Sequence, residues 1–370
     1  MPGFRRFTLS LTRSLTFSLT RNLIRTLSMS LLLASQHASA VSLLEQAAAK
    51  LEASGFQGAA IAAKGDKVLL EKSFGQFGDT KRSFRFASIT KQMTAILIMQ
   101  DVEAGRLQLD QPLGAYWPDY PNQQARNITL RQLLTHYSGL YNENAIPDFH
   151  MLHANRGDNM QTFATEICAG KMNSAPGSTF DYNNCDYMVL GALLEKLHQQ
   201  PFAQLLRERI FKPAGMTASG LYHAGMQDHP QHVHGTLGGK PEPEVNYASY
   251  GAAGSSYGTA KDLLAFDRAF IKGTYLSEKT RAEMVRPNNV GGAIGVWAYP
   301  FKGANEQQPT MIVERQGWIA GVRILNLIDL QSENVLILIS TNGDLDLSQT
   351  WASKGPAAEL LKALLLTGKK

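Results

Sequence analysis

Cysteine is scarce. The 370 residues hold two, Cys168 and Cys185. They can form one disulfide in an oxidising compartment or remain two buried thiols. Spacing does not choose between these, because a bridge requires a specific Cα geometry. Long apolar runs are also missing. The longest near the N-terminus, Leu27 to Ala34, is too short to span a bilayer as a helix, so no stable membrane span is expected. No Gly-rich loop of Walker or Rossmann form is present, which removes the usual phosphate and dinucleotide cradles. Acidic residues are absent from the first 40 positions, which carry Arg5, Arg6, Arg13, Arg21 and Arg25. Taking those five from the 36 basic residues leaves 31, which matches the 31 acidic residues. The net charge of +5 therefore belongs to the leader, and nucleic acid is not an expected partner.

That leader reads as a targeting segment. A basic start precedes a short apolar stretch, and Ala38-Ser39-Ala40 fits a small-residue cleavage site. Export to the periplasm or medium is the expectation. An organelle transit peptide and an unstructured tail are the alternatives. Residues 41–370 then form the working chain.

Element patterns follow. A short amphipathic helix covers Ser42 to Leu51. Two strands, Gly58–Ala63 and Val68–Leu70, flank a tight turn at Lys64-Gly65-Asp66. Lys91 to Glu103 is an apolar helix with Gly105 as its C-terminal cap. The middle, from about Leu130 to Ile271, reads mostly helical, with helices from Thr129, over Met188–Gln199 and over Phe202–Phe211. The last third changes to the two-residue period of strands at Met311–Glu314, Arg323–Ile328 and Asn334–Ser340, then closes with a helix over Trp351–Leu366. Strands, helices, strands and a helix imply an α+β fold. One antiparallel sheet is built from both chain ends, and a mainly helical subdomain of about residues 110–270 is inserted.

Ser88-Ile89-Thr90-Lys91 is the first chemical signal. Ser88 is the only serine followed by lysine three positions later. At helical pitch the two side chains share a face, so the amine can reach a hydroxyl that needs a neighbour to take its proton. The helix start also favours negative charge near Ser88. Tyr182-Asn183-Asn184 is the second signal, since a phenol beside an ammonium can titrate nearer the working range. The third is Arg315-Gln316-Gly317-Trp318. A guanidinium binds carboxylates in a fork and hardly deprotonates, while Gly317 would let backbone approach a substrate. Pairing of Arg315 with a local acid such as Glu314 is the plainer reading. His229, His232 and His234 carry a His-x-His spacing known from zinc sites, but no completing ligand is evident, so a solvated loop and no metal are expected.

In these three segments the chain resembles the serine β-lactamase and penicillin-binding protein family, closest to its class C β-lactamase-like branch, which includes esterases and D-amino-acid peptidases. In that family the serine of the S-x-x-K element is the nucleophile. The resemblance covers about Leu44 to Leu366. Framework segments at Leu133–Leu140 and Ala252–Leu263 also look like it. It implies a β-lactamase/transpeptidase-like fold with the site in the cleft between sheet and helical part. It implies catalytic Ser88, Lys91 and Tyr182, with Asn184 orienting the lysine and a substrate amide, and backbone N–H groups of Ser88 and Trp318 stabilising the oxyanion. It gives His136 a structural loop role rather than a place in a Ser-His-Asp triad. The departure is Arg315, where the family has Lys or His. The expected activity is acyl transfer from an ester, a β-lactam or a D-amino-acid peptide, with no cofactor. Arg315 as a carboxylate grip leans toward a carboxylate-bearing substrate. A binding protein of the same fold that retains peptidoglycan or an acyl ligand without turnover is the rival.

Overall fold

The computed structural model describes residues 42–76, 79–151, 159–223, 226, 232–303 and 309–367. The expected leader and cleavage site lie outside them, as does His229.

Helix α1 spans residues 42–53 and buries Leu44, Ala47, Ala48 and Leu51, the i, i+3, i+4, i+7 stripe of an amphipathic helix. Strands β1 (Gly58–Lys64) and β2 (Lys67–Phe74) form a hairpin. Helix α2 (Ile89–Glu103) is buried on nearly every side, with Lys91, Gln92 and Asp101 buried alongside its apolar residues, so it presents no solvated polar face. Helix α3 (Asn184–His198) starts at the cap Asn183, whose side chain accepts from the Cys185 N–H. Helix α4 (Ala260–Ile271) starts with a capping box at Thr259 and Asp262. Four strands follow: β3 (Trp297–Phe301), β4 (Thr310–Ile319), β5 (Val322–Asp329) and β6 (Asn334–Ser340). Helix α5 (Gly355–Leu366) ends the described chain.

The six strands make one antiparallel sheet in the order β2-β1-β6-β5-β4-β3. Both chain ends therefore meet in its centre, where β1 pairs with β6 in the register Ile61 opposite Ile337. The two sheet faces fill different cores. One packs Ala60, Leu325 and Leu336 against Leu44 of α1 and Leu361 of α5. The other packs Ala59, Ile61, Ile324 and Ile337 against α2 and α4. Burying each Leu or Ile side chain contributes about 1.5–3 kcal/mol, so the central strands are apolar on both faces. Strand β3 is not evident in the sequence because Pro300 interrupts it. As an edge strand it tolerates a residue with no N–H. Helix α4 belongs to the sheet layer: its buried Asp267 accepts from Asn326 of β5 at 2.8 Å.

Cys168 and Cys185 are disulfide-bonded, with Cα atoms 5.3 Å apart. The bridge ties the first turn of α3 to the segment Phe163–Ile167, next to the Tyr182–Asn184 stretch.

Candidate active site

Ser88 sits at the N-terminus of α2 after Ala87, whose φ of 49° is left-handed and unusual for a residue with a Cβ. Lys91 lies one turn on, fully buried, with Nζ 3.3 Å from Ser88 Oγ. Its ammonium also donates to Asn184 Oδ1 at 2.6 Å and to the Ala253 carbonyl at 2.9 Å. Burial is the main force pushing the Lys91 pKa down, and Arg315 adds to it. Tyr182 and Glu143 push the other way without cancelling it.

Tyr182 arrives from a segment 94 residues away and its hydroxyl meets Ser88 Oγ at 2.8 Å. Arg315 of β4 reaches the same hydroxyl, with Nη2 donating at 2.5 Å, while its Nε donates to the Ser88 carbonyl at 2.8 Å. Burial alone would raise the phenol pKa. The Arg315 and Lys91 cations and the hydrogen bond with Ser88 overcome it and lower the pKa to about 8. Hydroxyl, amine and phenol thus meet, and a guanidinium completes the group.

This corrects the plain reading of Arg315. It does not pair with Glu314, whose carboxylate accepts from Tyr299, Gln316 and Thr350. Arg315 has become a fixed donor to the phenol oxygen. Gly317 also has a different reason from the one expected. A Cβ there would collide with the Phe86 carbonyl, so the missing side chain lets β4 close on the backbone just before Ser88 rather than on a substrate. Beyond Glu314 strand β3 no longer pairs with β4, so Arg315 to Ile319 present an open edge beside Ser88. Trp318 stands on that edge, 54% exposed.

Asn184 is a lysine holder. Its Oδ1 accepts from Lys91, and its Nδ2 donates to Glu143 Oε1 at 2.6 Å. Glu143 is fully buried and also contacts His150 Nε2 at 3.4 Å, while His150 Nδ1 meets Ser249 Oγ at 2.7 Å. Burial would raise the Glu143 pKa, but the hydrogen bonds with His150 and Asn184 hold it below its usual value. A buried carboxylate thus steadies Asn184 and through it Lys91. No sequence signal marks this residue: it is one acid in a loop, and its partners come from distant segments.

His136 has φ 61° and is buried behind the phenol, 4.4 Å from the Tyr182 ring centroid. Its Nδ1 lies 2.9 Å from Asp186 Oδ2 and also receives the Asn183 N–H at 3.2 Å. Burial, then Lys91 and Arg315, push its pKa well down, and burial pushes Asp186 well up. Both are driven toward uncharged forms, so an imidazolium relay is opposed here. The solvated-loop reading of the histidine cluster needs correction at His232, while His234 is exposed as expected. His232 is buried and meets Arg85 Nη1 at 3.0 Å and Tyr222 OH at 2.6 Å. Arg85 in turn pairs with Glu242. Among the described residues no metal-binding cluster forms.

Ser88, Tyr182 and Arg315 open onto a cleft of about 750 Å³. A hydroxyl at a helix start, an amine and a phenol within reach of it and an open strand edge are groups that acyl transfer can use.

The family model described as Beta-lactamase matches residues 44–348. In Bacillus subtilis strain 168 a protein named as a putative penicillin-binding protein, PbpX, is 28% identical over 309 residues, covering 77% of this chain and 71% of that one. Penicillin-binding protein 4 of Amycolatopsis lactamdurans is 29% identical over 251 residues, covering 64% of each. The crystal structure of D-amino acid amidase from Ochrobactrum anthropi SV3 has the same fold, with a TM-score of 0.71 at 20% identity over 90% of this chain and 98% of that one. With most of its length matched by that family model, the chain belongs to the beta-lactamase family and is a serine hydrolase.

Proposed function

We propose that Ser88 is the acyl-accepting nucleophile, that Tyr182 and Lys91 share its proton, and that the carbonyl attacked is that of an ester, amide or β-lactam. The carrying observation is the single hydroxyl oxygen of Ser88, 3.3 Å from the Lys91 amine and 2.8 Å from the Tyr182 phenol. A phenol with a pKa of about 8 has a substantial ionised fraction near neutral pH and can accept the serine proton directly. Ser88 Oγ then bonds the carbonyl carbon. The oxyanion forms against the N–H groups of Ser88 and Trp318, each worth about 3–4 kcal/mol in such a hole. The phenol returns the proton to the leaving group, and a water molecule repeats the sequence to release the acid. Asn184 keeps the lysine in place. Arg315 holds the phenol oxygen and lowers its pKa, so a substrate carboxylate would compete with Tyr182 for it.

Export fits the same reading. A disulfide between Cys168 and Cys185 suits an oxidising compartment, as does a basic, acid-free leader.

Intact-mass spectrometry tests the proposal with a fluorophosphonate, a penicillin, a nitrophenyl ester and an amide of a D-amino acid. The expected result is a covalent adduct on the wild-type chain, released with turnover for at least one substrate, and none on Ser88→Ala. Adducts that persist with no turnover on any probe would favour a binding protein. Labelling of Ser88→Ala would remove Ser88 from the mechanism.

A further inference from the structure

The cleft in front of Ser88 has a composition that the catalytic groups do not require. Beyond Ser88, Tyr182 and Arg315 its wall includes Val290, Trp297, Tyr299, Pro300, Trp318 and Trp351, with Gln316 and Ser348 as its uncharged polar members. Three of these leave much apolar surface uncovered: Val290 is 53% exposed, Trp318 54% and Trp351 64%. Scattered apolar residues on a surface are ordinary, but several converging on one concavity beside a nucleophile mark a ligand-binding wall.

The wall is also pre-ordered. The Trp318 indole is stacked on the Arg323 guanidinium, 3.9 Å from the ring centroid, and its Nε1 donates to the Ala320 carbonyl at 2.8 Å. Its polar atom is thus engaged and its remaining surface is free for an apolar contact. The Tyr299 hydroxyl donates to Glu314 and reaches Thr350 Oγ1 at 3.2 Å, while Trp297 packs at 5.6 Å against Phe180. Rings held before a ligand arrives lose little freedom on binding it.

Charge is nearly absent from this wall. Among its described residues the ionisable side chains other than Tyr182 and Tyr299 are Glu314 and Arg315. The Glu314 carboxyl is buried, its oxygens are taken by Tyr299, Gln316 and Thr350, and burial favours its neutral form. Arg315 spends Nε and Nη2 on Ser88 and Tyr182.

Resting on the proposed role of Ser88, we infer that this cleft selects substrates carrying a large uncharged aromatic or branched apolar group beside the scissile carbonyl, and that Val290 and Trp351 set this preference. An uncharged ring gains contact with the indoles and loses no hydration of a charge. An ionised group would lose hydration against the indoles, and Arg315, the cation lining the cleft, already holds the Ser88 carbonyl and the Tyr182 oxygen.

The test is a pair of p-nitrophenyl esters, phenylacetyl and acetyl, with a succinyl ester of similar bulk as the charged comparison. In the wild type kcat/KM for the phenylacetyl ester should exceed that for the acetyl ester by about 10- to 100-fold. The succinyl ester should stay near the acetyl value. In Trp351→Ala, a truncation outside the core, the phenylacetyl-to-acetyl ratio should fall about 3- to 10-fold, the value of one aromatic contact. Val290→Glu should lower the same ratio by placing a charge on the wall. A wild-type ratio near one, a succinyl preference, or a ratio unmoved by both substitutions overturns the inference. Fluorophosphonate labelling of each protein keeps the two levels apart. A flat ratio with Ser88 labelled rejects the apolar cleft alone, whereas loss of labelling in the wild type rejects the nucleophile.

Discussion

Two acid–base pairs lie within one ring's width of each other, and they differ in access. Lys91 and Tyr182 converge on Ser88 at the mouth of a cleft. His136 and Asp186 make a 2.9 Å contact that has the look of a triad arm, yet they are sealed behind the Tyr182 ring. The same two cations act on both. Lys91 and Arg315 overcome burial to pull the phenol down to about 8, whereas at the imidazole burial is the main force and the two cations add to it, pushing the pKa well below its ordinary range. Chemically familiar groups are thus placed in opposite settings by what surrounds them, and the proposed mechanism uses only the pair in contact with Ser88. A positive environment activates an acid that becomes an anion and disables a base that becomes a cation.

The comparison is broken most severely at its centre. Ser88→Ala should reduce turnover of any substrate about 10⁴-fold or more, read as kcat by steady-state kinetics, since the remaining hole and binding surfaces supply only residual rate. If His136 worked with a different hydroxyl, much of the activity would survive this change.

Tyr182→Phe should cost about 10²- to 10⁴-fold in kcat/KM, and Arg315→Met sharpens the point. Wild-type kcat/KM should rise with pH through about 8, because the phenol must lose its proton to act as base. Without the guanidinium, burial is opposed by Lys91 and the Ser88 hydrogen bond, so the rising limb moves to higher pH and activity at pH 7 falls. A limb that stays at its wild-type position in Arg315→Met would show that Tyr182 is not the titrating base.

Glu143→Gln keeps the shape and removes the charge beside Asn184. A loss of about 10- to 100-fold in kcat is expected, in line with charged hydrogen bonds of about 1.5–3 kcal/mol, together with a lower apparent pKa for Lys91, which loses a nearby anion. An unchanged pH profile would make Glu143 purely structural. The smallest effect belongs to His136→Asn, chosen because asparagine tolerates the left-handed backbone at φ 61°. Loss of the contacts with Asp186 and Asn183 should cost stability, about 1–3 kcal/mol by thermal or denaturant unfolding, with kcat within about tenfold of wild type. A folded His136→Asn protein with no activity would erase the distinction between the two pairs.

Much of this was legible before folding. Ser88 and Lys91 are one helical turn apart, so their meeting needs no tertiary structure. The strands β4, β5 and β6 show their period in the sequence because their side chains alternate or run apolar. Strand β3 is hidden by Pro300, whose missing N–H matters only in a central strand. Arg315 could be seen as a displaced cation but not as a donor to Tyr182, since 133 residues separate them. Glu143 and Trp297 carry no local pattern, and Trp351, which the pattern made the start of the last helix, lies instead in a separate turn before α5.

What the sequence by itself determined was everything set by neighbours a few positions apart: the serine–lysine turn, the capped helices, the apolar strands and a chain that is charge-balanced after its first 40 residues. What only the tertiary structure decided was which distant groups share one space. Closing the sheet from both chain ends places the Arg315 edge against Ser88, and the start of α3 sets the phenol over it. Electrostatic effects act over a few ångströms of space, not along the chain, so the pKa of Tyr182 and the silence of His136 exist only once those ångströms are defined.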